Sequence, residues 1–165
     1  MPSAVLAAAY ALHMIATVVW IGGLVALAYL VSPLYAKLPT EERAAAQEAS
    51  SRRFAPLAWL CLAVFLVTGL AQMSANPTYS GLLVVDSAWS AAILAKHVVV
   101  ALMAAALMVQ TWVLHPRLGR AALGLTPHDG DTIARWRRLD AKLIRVSTLL
   151  GILVLILTAL ARASN

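Results

Sequence analysis

Of 165 residues, 62% are hydrophobic and only 12% are charged, and the mean hydropathy is +0.82. That balance is far outside soluble globular usage and places the sequence among polytopic membrane proteins. A formal charge of +6 would suit nucleic acid, but the basic residues are sorted by membrane side, which explains them better.

Four apolar stretches are long enough to cross a bilayer: about 4–31, 54–75, 88–114 and 143–161, each near or above the ~20 residues that a spanning helix needs. The expected fold is all-α, one transmembrane domain over 1–165 made of an antiparallel four-helix bundle. The first stretch lacks a basic leader and outruns a signal peptide, so it reads as a retained span. Tyr29 and Tyr35 close it near the inner surface, with Trp20 deep inside it, and Pro33 and Pro39 sit at or just past its end.

Lys37, Arg43, Arg52 and Arg53 populate the first connection, where 40–53 reads as a surface helix or an extension of the second span. Within the second span, Pro56 falls in the first turn, and Cys61, the single cysteine, reads as an inert packed thiol. Thr68 and Gln72 lie one turn apart near its outer end.

The 76–87 connection carries only Asp86, with Tyr79 and Trp89 marking the outer surface. The third span closes at Trp112, His115 and Pro116, His115 reading as an ordinary interfacial residue. From 119 to 131, glycines, Pro127, His128 and Asp129 form a loop, and 131–145 resumes as a basic helix with Trp136. Seven Lys and Arg residues between Arg117 and Arg145 make both odd-numbered connections inner. The expected setting is a bacterial-type inner membrane with both termini outside.

No nucleophile elbow, phosphate loop or zinc-hydrolase motif is present. The informative groups are His13 and His97. Each lies about nine residues into a span that enters from the outside, about 13 Å down at 1.5 Å per residue. In an up-down bundle the first and third helices are diagonal and run the same way, so two imidazoles can face one axis. Ionisable groups at that depth are costly and point to function.

Two metal readings follow. Haem b, gripped from both faces by His13 and His97, would find room beside Ala16, Gly22, Gly23, Gly69, Ala101, Ala104 and Gly151, with Trp20, Thr68 and Gln72 around it. Copper would take the same histidines with Met73 or Met103; Met14 is turned 100° from His13. Lys96, beside His97, could meet a haem propionate, a quinone oxygen or a lipid phosphate and is the candidate catalytic residue. The haem reading implies a membrane oxidoreductase. The partners expected are lipid, a quinone or redox protein, and a second copy of the chain, with no nucleic acid.

The run Ala11-Leu12-His13-Met14-Ile15-Ala16, followed by Trp20-Ile21-Gly22-Gly23-Leu24, resembles the first helix of the copper-resistance protein D (CopD-like) family, which is itself similar to HemJ-type protoporphyrinogen oxidases. Further matches are Arg52-Arg53-Phe54 leading to Gly69, Leu94-Ala95-Lys96, and Arg145-Val146-Ser147 with Gly151 and Thr158-Ala159-Leu160. The resemblance implies a four-helix membrane unit with His13 and Lys96 as functional positions. It implies copper passage into the cytoplasm for CopD-type members, and b-type haem with protoporphyrinogen oxidation for HemJ-type ones. The HemJ-like arginine after the first-helix glycine is absent, since 24–29 reads Leu-Val-Ala-Leu-Ala-Tyr. His97 stands outside the family pattern and rests on depth alone.

Overall fold

The computed structural model describes residues 3–75, 81, 84–85, 87–123, 125 and 129–163. Tyr79, Asp86, Pro127 and His128, all assigned to connections from sequence, lie outside the described residues. The chain forms four long helices: α1 (Ser3–Tyr35), α2 (Thr40–Ser74), α3 (Ala88–Met108, continued through Val109–Leu114 and His115–Ala122) and α4 (Gly130–Ala163). All four are long and apolar enough to cross a membrane. Over their membrane-length stretches they are apolar all round, with Val18, Leu60, Leu66 and Ile156 turned outward, as lipid requires.

The helices outrun the hydrocarbon. At 35 residues, α2 extends about 50 Å, against about 30 Å of bilayer core. The polar 40–53 stretch is therefore the extension of the second span, and Pro56 falls inside the helix rather than in its first turn. Likewise 131–145 is continuous with the fourth span. The start of α4 is set by Asp129, whose Oδ1 accepts from the Thr132 amide at 3.1 Å; these Thr132 hydrogen bonds hold the Asp129 carboxyl below the usual carboxylate range. Ser87 and Ser90 cap α3 reciprocally: the Ser90 amide donates to Ser87 Oγ and the Ser87 amide to Ser90 Oγ.

Pro33 and Pro116 do not end their helices, as the sequence suggested. Each follows a six-residue π-helical segment, Ala26–Val31 in α1 and Val109–Leu114 in α3, and the helix resumes through the proline. A proline ring clashes with the carbonyl four residues back and offers it no N–H. Widening the preceding turn relieves both problems.

In the bundle α1 packs along α2 and α3 along α4, while α1 meets α4 and α2 meets α3 more lightly. Thus α1 and α3 are diagonal. The core is Ala16, Trp20 and Leu24 of α1, Ala58 and Cys61 of α2, Val99, Met103 and Leu107 of α3, and Ile144 of α4. Two small residues bring the backbones close, because association in lipid depends on contact rather than on water exclusion. Gly151 sits against Ile21, and Gly23 against the Phe54 ring, which a Cβ at 23 would strike. Gly23→Ala is therefore expected to lose stability: overpacking costs 1–3 kcal/mol, only partly offset by the ~1 kcal/mol gain in helix propensity. The net loss of about 1 kcal/mol would lower the unfolding midpoint in detergent; an unchanged midpoint would mean that Phe54 moves freely.

Candidate functional site

His13 and His97 enter from the same end, each about a third of the way along its helix. His13 is half-buried between α1 and α2. Its Nδ1 is 2.8 Å from Thr68 Oγ1, its ring centroid lies 4.9 Å from that of Phe65, and Gly69 faces its Cε1. The Thr68 hydroxyl donates to the Val64 carbonyl at 2.6 Å, so its proton is committed and the oxygen can only accept from His13. The neutral His13 imidazole therefore carries its proton on Nδ1 and keeps a lone pair on Nε2.

His97 reaches the same state by another route. Its Nδ1 lies 2.7 Å from the Ile93 carbonyl, one turn back on α3, and a carbonyl can only accept. Both histidines thus anchor Nδ1–H and leave Nε2 as the nitrogen open to a metal, the arrangement by which a second layer of hydrogen bonds orients metal-binding imidazoles. Lys96 and His97, 100° apart around α3, are both half-buried and both lie within electrostatic reach of His13.

The other sequence candidates divide. Thr68 is buried, with its hydroxyl oxygen 2.8 Å from His13 Nδ1. Gln72 spends its carboxamide N–H on the Ala9 carbonyl at 3.3 Å, tying α2 to α1. Trp20 is 3% exposed and packs on Phe65 at 5.5 Å, so it belongs to the core. Among the methionines, Met14 is turned to lipid at 64% exposure, while Met73 and Met103 are buried. Trp89, expected in the outer belt, is buried as well.

Haem does not fit this packing. A bound macrocycle needs a pocket of several hundred Å³. The ring flank of His13 is taken by Phe65, and Ala16, Val99 and Met103 belong to one packed core. Two cavities in the bundle offer about 20 Å³ each, and neither is lined by His13 or His97. Among the described residues no group of three or more His, Cys, Asp or Glu stands ready for a metal. Any ion near His13 would have to be held by few protein ligands.

At the opposite end the structure differs from the sequence expectation. His115, read from sequence as an interfacial surface residue, is 6% exposed, and Asp140, just before the expected fourth span, is 4% exposed. Gln110 Nε2 donates to Asp140 Oδ1 at 2.9 Å. This buried polar cluster had a legible signal on α4: Asp140, Ile144, Ser147, Thr148 and Gly151 repeat at helical spacing and are all buried.

The profile of the family described as copper resistance protein D matches residues 48–161, well over half of the chain. This chain belongs to that family. The match covers α3 with Lys96 and His97, most of α2 and nearly all of α4, and it begins after His13. No curated relative and no solved structure matches the chain.

Proposed function

We propose that this CopD-family chain is a copper-handling protein of the bacterial-type inner membrane, a single transmembrane unit with both termini outside. Copper engages His13 and His97 near the outer end of the bundle. The observation that carries this reading is the shared state of the two imidazoles, each with Nδ1–H anchored and Nε2 free. Imidazole is a natural copper ligand, and family membership supplies the metal. The orientation follows from the positive-inside rule, with the basic connections between α1 and α2 and between α3 and α4 facing the cytoplasm.

Copper here is cargo rather than a resident cofactor. Two nitrogens without a thiolate make a modest site, open to exchange. Lys96 is the residue that sets how long the ion stays, because its charge opposes a cation at His13. Thr68 positions the imidazole, and Trp20 and Gln72 hold α1 and α2 in register around it.

The test is metal content and absorption of detergent-purified protein, supplied with both copper and a haem precursor during expression. Bound copper with no Soret band supports the reading. A Soret band with sharp reduced bands would overturn it in favour of haem b.

A further inference from the structure

Arg145 is the last charged residue before the apolar run 146–161 of α4, which sets its guanidinium at the basic margin of the hydrocarbon. It is exposed and, among the described residues, has no ion pair. Beside it a cleft opens between α1, α2 and α4, with Arg145, Tyr35, Ser50 and Ser51 on its polar side. Among the described residues no Asp or Glu lines this cleft. The neighbouring acids on α2 and α4 are turned to α3 instead: Glu48 pairs with Arg52 at 3.7 Å beside Gly119, and Asp140 accepts from Gln110.

The hydroxyls of the cleft are donors short of acceptors. Ser51 is 5% exposed and its Oγ has no partner among the described residues. A buried hydroxyl left unsatisfied costs free energy, so its persistence needs a reason. Tyr35 Oη and Ser50 Oγ are 2.7 Å apart; one donates to the other, and the second proton of the pair is left to donate elsewhere. A guanidinium and spare O–H groups without a carboxylate suit an oxyanion and repel a cation.

Size and setting choose the anion. The closed-off part of the cleft is about 20 Å³, which admits one water-sized group, so a ligand inserts a single oxygen and keeps its bulk at the mouth. One to two turns deeper than Tyr35, Val31 and Leu27 of the π-helical segment continue the wall into the hydrocarbon, opposite Ile144 of α4. A soluble phosphate gains nothing from that apolar wall, whereas an acyl chain can lie along it. Seven Lys and Arg against three Asp between Arg117 and Arg145 favour a headgroup of net negative charge. We propose that this cleft binds the phosphate of an anionic phospholipid, held by Arg145 and by the hydroxyls of Ser51 and of the Tyr35–Ser50 pair. The lipid joins α4 to α1, which pack together only lightly, and its binding does not depend on the copper reading.

The experiment uses full-length protein stripped of lipid in detergent. It is titrated with phosphatidylglycerol, with phosphatidylcholine of the same acyl chains or with glycerol 3-phosphate, and bound species are counted by native mass spectrometry. One phosphatidylglycerol is expected to bind at least tenfold more tightly than either alternative. Arg145→Gln should remove most of that preference, while Arg138→Gln, an exposed arginine outside the cleft, should stay within twofold of wild type. Ser51→Ala should weaken binding several-fold while the lipid-free unfolding midpoint holds or rises, because alanine removes the unsatisfied hydroxyl. Equal binding of the two lipids, or equal losses in Arg145→Gln and Arg138→Gln, would overturn the proposal in favour of a diffuse basic surface. Glycerol 3-phosphate binding as tightly as the lipid would overturn it in favour of a soluble phosphate. Copper content of the same samples reports on the outer histidines separately, so either reading can fail alone.

Discussion

Replacing His13 by alanine is expected to abolish copper binding at the outer end, and Thr68→Val, which leaves the imidazole in place, should lower affinity 10–100-fold. The second effect is the more telling. Valine is close to threonine in shape but cannot accept the Nδ1–H bond that Thr68 Oγ1 receives at 2.8 Å. The ring then loses its fixed tautomer and orientation, a change that typically costs one to two orders of magnitude in metal affinity. Thr68→Ser keeps the hydroxyl and should retain most of the affinity. Competition titrations against a copper chelator under reducing conditions measure all three. Equal affinity in wild type and Thr68→Val would mean that His13 binds copper, if at all, through Nδ1 or with a freely turning ring.

The membrane class, the helix number and the depth of His13 and His97 were legible in the sequence because hydropathy and a rise of 1.5 Å per residue suffice for them. The diagonal placement of α1 and α3 followed from short connections. Depth alone says nothing about what Trp20 and Gln72 touch. Only packing shows that Trp20 fills the core against Phe65 and that Gln72 bonds the Ala9 carbonyl. His115 escaped for a different reason. Pro116 looked like a helix terminator, whereas the π-helical segment before it carries α3 onward and turns His115 into the bundle. Asp140 was hidden by its flanking arginines and lysine, which pushed the apparent start of the fourth span to 143. In both cases a local rule about ends was overridden by a helix that continued.

The same geometry makes Lys96 the residue whose removal should strengthen binding rather than weaken it. Lys96→Gln is expected to tighten copper at His13 and His97 about tenfold or more, since removing a nearby unit charge is worth on the order of 1–2 kcal/mol at an effective dielectric of 20. Lys96→Arg keeps the charge and should stay within a few-fold of wild type. If Lys96→Gln weakens binding instead, the lysine contributes to the ligand shell, and the species held at this end is anionic. The sign matters for function as much as the size does. Passage through a membrane requires a site attractive enough to fill and weak enough to empty. Two Nε2 lone pairs supply the attraction, and the neighbouring ammonium limits it. The Lys96→Gln protein should therefore bind copper more tightly while delivering it more slowly, and copper accumulation by cells expressing it should fall below wild type even as the purified protein retains more metal.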